Sequence, residues 1–548
     1  MVTVASCYIS VTQVDVCVRK GKGSCDLAGD GMSDEIELKL SVTPKELANL
    51  RRHVLLRTLA SGRRARRVEL ESTYFDTPDG WLKAQGMALR VRRQGAKRVQ
   101  TLKAAVGGDH ESLRHVREFE APVEGERPDL GLIEDEGLRN ALLLDDLAAR
   151  LEPLFTTKVV RHLLPVRLMS SEIEIAFDEG TILAGEVRQP LCELELELLS
   201  GEPEYLLQLA LAIGEECAFG LEPRSKAARG YALALGGSLP PVTAEVPGLA
   251  ADAEAGEAFE AIARSCLGQI RANEASMLSG CRDPETVHQL RVGVRRLRAA
   301  VSLFQPVIAE GVLVQLKDEL KWLQNALGPA RDWDVFRLET LAPVLRRLPQ
   351  EESLSRLAVA AARMGEEAQG AGLAALRSHR FAMLVLRLEL WLRNGAWRGG
   401  SVPGEAAGQT PADLAEVFAG SALARRSKSV LKRARERDEA VEESLHQLRI
   451  AGKKVRYALE FFRPYVKKDL AKEALGLTKQ LQDCLGALND AAVSRRLLDE
   501  VGARFPEEVA PRAVGLVLGW QAHRVDVGLS HLEAVWEKAR KPLKDLLP

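Results

Sequence analysis

Two short segments in which acidic and apolar residues alternate constrain the fold more than any other feature of the sequence. The first is Glu35–Lys39 (EIELK), and the second is Cys192–Leu198 (CELELEL). Successive side chains of a β-strand point to opposite faces, so each segment would place its charges on one face and its apolar residues on the other. Two such strands side by side in one sheet would bring four or more carboxylates together.

Carboxylates at this density repel each other unless cations lie among them. Hard divalent ions such as Mg²⁺ and Mn²⁺ prefer carboxylate oxygens and keep open positions for phosphate. An amphipathic strand with a solvated acidic face is the simpler interpretation of either segment alone. A set of basic residues on neighbouring strands favours the interpretation that includes a ligand.

The length and composition of the chain predict a folded protein of two or three domains, because 548 residues exceed a typical domain. The formal net charge of -1 says little about partners, although the basic residues are clustered. The eight cysteines are scattered, which favours a reducing cytosol. We expect residues 1–31 to be a disordered or mis-assigned extension. No apolar run is long enough to span a bilayer, and we expect no membrane partner.

The first half of the sequence predicts a series of antiparallel strands joined by turns and short helices. The segments that alternate as strands are 35–40, 68–75, 87–92, 99–103, 116–120, 159–168, 172–178, 181–185 and 192–198. Turn-forming clusters such as Asp76–Gly80 separate them. Many consecutive antiparallel strands of this kind favour a closed barrel.

Charged side chains inside such a barrel must be paired or bind ions, because an unpaired buried charge is costly. The candidate cations are Lys39, Arg90, Arg92, Lys103, Arg161 and Lys226. The candidate anions are Glu35, Glu37, Asp178, Glu193 and Glu195. A polyphosphate chain chelated by a divalent metal would satisfy both sets, since glutamates hold the metal while arginine and lysine hold phosphoryl oxygens.

These motifs, in this order, resemble those of CYTH domains, the triphosphate tunnel metalloenzymes. The matching segments are Glu35–Lys39, Tyr74–Pro78, Leu89–Arg92, Thr101–Lys103, Cys192–Glu197 and Ser225–Arg229. The resemblance implies an eight-stranded antiparallel β-tunnel that hydrolyses triphosphates with Mg²⁺ or Mn²⁺. It assigns the candidate anions to the metal and the candidate cations to the phosphates. It also implies that four of these cations are catalytic, namely Lys39, Arg90, Arg92 and Lys103.

The second half of the sequence predicts an all-helical region that contains an internal repeat. An Ala-, Glu- and Gly-rich stretch, residues 241–256, is the predicted linker to it. His288–Arg291 (HQLR) recurs 158 positions later as His446–Arg449. We therefore expect two homologous helical bundles, at about 257–400 and 412–540, with a break near Pro403–Pro411.

Each repeat carries a stripe of basic residues at helical spacing. The stripes are His288, Arg291, Arg295 and Arg298 in the first copy and His446, Arg449, Lys453 and Arg456 in the second. A solvated charged face is the ordinary explanation of such a stripe. These stripes, however, lack the interleaved glutamates that balance an exposed helix, and concentrated positive charge attracts polyanions. The helices resemble those of CHAD domains, which are often fused to CYTH domains, and the resemblance implies binding of inorganic polyphosphate.

Together the two resemblances imply an α+β protein with a tunnel domain at 32–240 and a helical domain at 257–548. We expect it to hydrolyse tripolyphosphate to pyrophosphate and orthophosphate, and to bind long-chain polyphosphate through its helices. We expect the protein to be cytoplasmic and to associate there with polyphosphate granules.

Other functions remain open at this point. The same barrel would suit a class IV adenylate cyclase or a thiamine or nucleoside triphosphatase, and it would also suit a polyphosphate-binding scaffold without catalysis. A nucleic-acid partner is not expected, because no aromatic residues interleave the basic stripes to stack on bases.

Overall fold

The computed structural model describes residues 33–105, 112–143, 146–398, 410–438 and 441–547. The predicted N-terminal extension, 1–31, lies outside these ranges, as does most of the predicted break at 403–411. Among the described helices, none is both long and apolar enough to cross a membrane.

An antiparallel barrel forms the first part of the protein, as predicted. Its strands are β1 (Ser33–Ser41), β2 (Arg66–Asp76), β3 (Met87–Gln94), β4 (Lys97–Ala105), β5 (Arg114–Pro122), β6 (Glu152–Leu168), β7 (Ser171–Ala184), β8 (Val187–Ser200) and β9 (Gly220–Leu221). They pair in the order β5-β4-β3-β2-β6-β7-β8-β1-β9, and an additional β5–β1 pairing joins the first eight into a ring. The described sheet therefore has nine strands instead of the predicted eight, because the two-residue β9 pairs with the end of β1.

Seven short helices accompany the barrel in the described chain. They are α1 (Pro44–Leu50), α2 (Val54–Leu59), α3 (Trp81–Ala84), α4 (Glu136–Leu142), α5 (Leu147–Arg150), α6 (Glu204–Gly214) and α7 (Lys226–Leu235). The hydroxyl of Thr43 accepts a hydrogen bond from the backbone of Glu46, whose side chain bonds back to the cap, so α1 begins in a capping box. Ser225 caps α7 in the same way, by accepting from the backbone N–H of Ala228.

The apolar core of the barrel part lies outside the barrel. Leu38 and Leu40 of β1 and Leu194 and Leu196 of β8 are buried in one cluster with the leucines of α6. Because side chains alternate along a strand, the charged residues between these leucines point into the barrel. Burial of the outer face by α6 thus fixes which face of each strand lines the tunnel.

The remainder of the described chain is helical. The helices are α8 (Ala255–Leu278), α9 (Pro284–Leu303), α10 (Glu310–Ala326), α11 (Gly328–Val335), α12 (Ala342–Arg347), α13 (Glu352–Leu376), α14 (His379–Arg393), α15 (Ala415–Arg435), α16 (Glu442–Phe461), α17 (Lys468–Arg504) and α18 (Pro511–Asp545). A π-helical segment, Phe336–Leu341, joins α11 to α12.

The two helical copies keep their spacing but are not equal. Helix α16 begins and ends 158 residues after α9, as the repeat predicts. The single helix α17 spans the region that corresponds to α10, α11 and α12 together. The break in the first copy lies at Pro329, which lacks the N–H that a helix interior needs, whereas the second copy has Ala487 there. Helix α14 of the first copy has no separate counterpart among the described residues of the second, where α18 runs on to Asp545.

The barrel and the helices are packed on each other. Helix α14 lies against α6 and β9, and the apolar cluster outside the barrel continues into the helical part. The segment between them is also fixed: the side chain of Asn273 donates to Val242 O at 2.8 Å and accepts from Val242 N at 3.1 Å. Arg224 donates to Leu278 O at 2.5 Å. One end of the barrel is therefore held by the first helix of the helical part.

Candidate functional site

The barrel encloses a cavity of about 800 Å³, and most of the site residues predicted in the barrel line it. The predicted residues in its wall are Glu35, Glu37, Lys39, Arg90, Arg92, Lys103, Arg161, Glu195 and Lys226. Asp178 and Glu193 are fully buried beside the wall, where both contact Lys226. Strand register brings these residues together: Lys39 lies opposite Glu195, and Asp178 lies opposite both Arg161 and Glu193.

Three buried carboxylates, those of Asp178, Glu193 and Glu195, form an acidic triad. An oxygen of each lies within 4.8 Å of an oxygen of the other two. Arg161 donates two hydrogen bonds to Asp178, at 2.7 and 2.6 Å, and one to Glu195 at 2.5 Å. Lys226 lies 2.8 Å from Asp178 and 2.7 Å from Glu195.

Positive neighbours lower the pKa values of two members of the triad, Asp178 and Glu195. Burial opposes ionisation of Asp178, but the charges of Lys226 and Arg161 lower its pKa below the ordinary value. Lys226, Lys39 and Arg161 likewise hold the pKa of Glu195 well below its usual range in spite of burial. Three carboxylates this close together offer the hard oxygen donors that Mg²⁺ and Mn²⁺ take, so the triad fits a divalent metal.

The other two predicted metal ligands, Glu35 and Glu37, are not members of the triad, although Glu37 shares the Lys39 ammonium with Glu195. Glu35 contacts Lys103, and Arg114 donates to Glu37 at 3.2 Å. Lys39 contacts both Glu37 and Glu195, so its ammonium lies between this acidic pair and the triad. The structure thus divides the predicted ligands into a group of three and a group of two.

Arg92 is a cation without a counter-ion in the tunnel. Its Nε donates to the hydroxyl of Ser72 at 3.3 Å, and no carboxylate of the described residues lies within salt-bridge distance. Burial, together with the nearby charges of Arg90 and Arg161, lowers its pKa to about 10. The charge of a guanidinium that lies close to other guanidiniums is destabilised by their repulsion. An anion bound in the tunnel would reduce this repulsion.

The structure also brings the two basic stripes of the helical part together. Helices α9 and α16 lie side by side, and a groove of about 420 Å³ lies between the copies. The basic residues that line this groove are Arg295, Arg298, Lys317, Lys321, Arg426, Lys453 and Lys454. Burial and the charges of Arg449, Arg295 and Arg291 lower the pKa of Lys453 to about 7. The stripes therefore repel each other across the groove.

One contact is repeated at equivalent positions of the two stripes. Arg298 contacts Gln324, and its counterpart Arg456 donates to Gln482 at 3.3 Å. The other contacts of the stripes differ between the copies: Arg291 contacts Gly328 O and Asp332, whereas Arg449 contacts Asn489 and Arg456 also contacts Glu460. Burial, followed by the charge of Arg331, lowers the pKa of His288. His288, Arg291, His446, Arg449 and Arg456 do not line the groove itself.

Comparison with known protein families agrees with both halves of this architecture. The CYTH domain matches residues 33–231, and the CHAD domain matches residues 261–499. The chain contains a CYTH domain followed by a CHAD domain.

The chain is similar to an inorganic triphosphatase of Haemophilus influenzae, with 35% identity over 205 residues. The matched segment covers 37% of this chain and 55% of that protein. An uncharacterized protein of Mycobacterium tuberculosis is 28% identical over 269 residues, 47% of this chain and 49% of that protein. The chain thus spans about half the length of these curated relatives. Among solved structures, the CHAD domain of the plant Ricinus communis has 33% identity and a TM-score of 0.47, covering 55% of this chain and 96% of that chain.

Several charged residues of the CYTH tunnel escaped the sequence reasoning. Arg114 and Glu118 line the cavity, and continuing the alternation of the predicted strand 116–120 back by two residues would have found Arg114. Glu197 also lines it, on the same face of β8 as Glu195. Burial and the charges of Glu35 and Glu37 raise its pKa to about 7. Tyr74 lies in a recognised motif, but no sequence signal marked its hydroxyl as part of the tunnel wall.

Proposed function

We propose that the tunnel hydrolyses inorganic triphosphate with a divalent metal ion, and that the helical part binds long-chain polyphosphate. The observation that carries the first proposal is the content of one cavity. It holds a row of inward cations and borders a buried triad of carboxylates. A highly charged, linear anion accompanied by a metal ion would complement both.

The triad, Asp178, Glu193 and Glu195, would hold the ion. A bound divalent ion would neutralise charge on phosphoryl oxygens and make a bound water more acidic. Arg161 and Lys226 contact the triad and line the cavity, so each can reach carboxylates and a phosphoryl oxygen. They are therefore suited to orient the phosphoryl group next to the metal.

The remaining cations would bind the rest of the triphosphate. Arg90, Arg92 and Lys103 lie on the neighbouring strands β3 and β4 and line the cavity. Charge that develops on the phosphoryl oxygens during transfer is stabilised when such groups are fixed in advance. Of the three, Arg92 is the one that forms no salt bridge with a described residue, so we expect it to contribute most to binding the triphosphate.

Two adjacent arginines provide the test. Arg92 points into the tunnel, whereas Arg93 points outward and contacts Glu71 on the surface. We expect Arg92→Gln to reduce kcat/KM for tripolyphosphate by about 10²-fold, and Arg93→Gln to leave it unchanged. The assay is phosphate release with Mg²⁺ or Mn²⁺. Equal activity of both variants would contradict the proposed site.

Product analysis separates the alternatives on the same barrel. Tripolyphosphate, ATP and thiamine triphosphate are supplied in parallel, and the proposal requires tripolyphosphate to be the best substrate. Cyclic AMP with pyrophosphate from ATP would indicate a cyclase. Tight binding of tripolyphosphate without release of phosphate would indicate a scaffold.

The polyphosphate-binding proposal rests on the convergence of the two stripes. Cations from both copies line one groove, and burial together with the repulsion of Arg449, Arg295 and Arg291 lowers the pKa of Lys453. A dense polyanion in the groove would remove this repulsion. The test is binding of long-chain polyphosphate to the intact protein, measured by anisotropy at several salt concentrations; the absence of binding at low salt would contradict it.

A further inference from the structure

Glu193 of the acidic triad is held on both of its carboxylate oxygens by one helix. Lys226 and Arg229 lie three residues apart near the start of α7, so both point to the same side of that helix. Lys226 contacts Oε1 of Glu193, and because it also contacts Asp178 and Glu195, Oε1 lies on the side of the triad. Arg229 Nη2 donates to the other oxygen, Oε2, at 2.5 Å. Arg229 therefore sets which way the carboxylate of Glu193 is turned.

Arg229 is itself held on its far side by Glu222. The two residues are 7% and 9% exposed, and Arg229 Nη1 lies 3.8 Å from Glu222 Oε2. Glu222 directly follows β9, and its backbone N–H donates to Lys39 O at 3.1 Å, so the pairing of β9 with β1 fixes its place. The guanidinium thus meets two carboxylates with two different nitrogens, which the single nitrogen of a lysine would not reproduce.

A second arginine connects Glu222 with the helical part of the protein. Arg224 donates to Glu222 through Nε and Nη2, both at 2.8 Å, and through Nη1 to Leu278 O at 2.5 Å. Leu278 is the last residue of α8. Burial raises the pKa of Glu274 on α8 to about 7, and the charge of Glu222 contributes to this rise. A continuous series of polar contacts therefore leads from α8 to Glu193.

We infer that Arg229 is a positioning residue, which orients Glu193 for a divalent ion in the triad. Through Glu222 and Arg224, the first helix of the helical part helps to fix this orientation. The inference rests on the proposed metal site and extends it, because metal affinity then depends on residues that are not ligands and on the contact between the two parts of the protein. Removing such a partner of a metal ligand commonly costs about 10- to 100-fold in metal affinity.

Arg229→Lys tests the inference, because it separates position from charge. The lysine keeps a positive charge beside Glu193 but cannot meet both carboxylates with separate nitrogens. We expect the Kd for Mn²⁺, measured by electron paramagnetic resonance titration of the intact protein without substrate, to rise about tenfold. Arg167→Lys is the matched control and should bind Mn²⁺ like the parent, because Arg167 pairs with Glu172 at the exposed end of β6.

A double variant shows whether Arg229 acts through Glu193. Glu193→Gln removes one proposed ligand, and adding Arg229→Lys to it should cause no further loss of Mn²⁺ affinity, since the carboxylate to be positioned is already absent. A full additional loss in the double variant would overturn the inference. So would equal Mn²⁺ affinity of the parent and a folded Arg229→Lys protein. A parent without Mn²⁺ affinity would refute the proposed metal site and the inference together.

Glu222→Gln is the second variant if Arg229→Lys does not fold. It leaves the triad and Arg229 in place and removes the negative charge that holds Arg229 on its far side. We expect the Kd for Mn²⁺ to rise by a smaller factor, about threefold, because Glu222 acts through Arg229. Glu172→Gln, on the exposed end of β7, is its control. Unchanged Mn²⁺ affinity of a folded Glu222→Gln protein would overturn the inference.

Discussion

At the scale of single residues, the tunnel consists of charges that are neutralised mostly by each other. Glu193 is fully buried and contacts Lys226, and Arg229 donates to it at 2.5 Å. Lys39 connects Glu37 with Glu195. Removing one member of such a set leaves a buried charge without its partner, which is more costly than replacing the whole set.

Glu193→Gln should weaken metal binding. The substitution keeps the shape of the side chain and removes one anionic oxygen donor from the triad. We expect the dissociation constant for Mn²⁺, measured by electron paramagnetic resonance titration, to rise at least about tenfold. Glu172→Gln is the matched control, because Glu172 pairs with Arg167 on the exposed end of β7. Equal Mn²⁺ affinity of the two folded variants would remove Glu193 from the metal site.

Lys453 should make polyphosphate binding depend on pH. Its pKa of about 7 in the free protein means that its charge is present below pH 7 and is lost above it. A polyanion favours the charged form, so affinity should rise as the pH falls through 7. Lys453→Arg keeps a positive charge over this range, and this variant should show a flatter profile. A parent and a variant with the same pH profile would contradict the assignment.

At the scale of elements, alternation in the strands and periodicity in the helices decided what could be predicted. The charged faces of β1 and β8 follow from alternation alone, because a one-residue slip would bury the glutamates against α6. The two stripes likewise follow from helical spacing. Neither alternation nor helical periodicity shows whether a predicted ligand belongs to the acidic triad or to the pair Glu35 and Glu37, because that depends on strand register. The division of the predicted ligands into three and two therefore appeared only in the structure.

The boundaries of elements were harder to foresee. The two-residue strand β9 has too little pattern to be recognised, and it pairs with the end of β1 that extends beyond the β1–β5 pairing. One difference between the helical copies follows from a proline: Pro329 lies at the break between α10 and α11, whereas Ala487 lets α17 continue. The groove between the copies also takes Arg426, Lys317 and Lys321 from other helices, which no single helical pattern could place.

Replacing the basic stripe of α9 should weaken polyphosphate binding and its salt dependence together. The variant changes Arg291, Arg295 and Arg298 to Gln. Each lost phosphate contact lowers the counterion release, so the slope of log affinity against log salt should fall by about two. The control variant changes Lys538, Arg540 and Lys541, which are exposed on α18, to Gln. It therefore loses the same charge as the test variant. Tripolyphosphate hydrolysis should be unchanged in both, and equal polyphosphate binding by both would identify the stripe as a solvated face.

At the scale of the whole molecule, the barrel and the helices share one apolar cluster. Ile213 of α6 and Phe381 of α14 are both fully buried in it. The backbone of Ser112, next to β5, also donates to Glu389 of α14 at 2.8 Å. The tunnel chemistry belongs to the barrel, but part of the stability of the barrel comes from the helices.

A fragment of residues 33–240 should therefore keep the tunnel residues and lose stability. Without α14 the apolar face of α6 becomes exposed, and large exposed apolar patches favour association. We expect the fragment to melt at a lower temperature than the intact protein and to hydrolyse tripolyphosphate while folded. Thermal unfolding and phosphate release on the same samples measure both properties. A fragment as stable as the intact protein would show that the shared cluster contributes little.

The closure of the barrel by β1 has a consequence for folding during synthesis. Strand β1 leaves the ribosome early, but Ile36 pairs with Leu198 of β8, and Glu37 pairs with both Arg114 and Glu197. The acidic face of β1 thus stays hydrated until much of the barrel has been made. Joining ends so far apart in sequence is slow, since chain entropy is lost before contacts form. The repulsion between glutamates arises only at this late step, so the cations that neutralise them also determine whether the nascent chain can close its barrel.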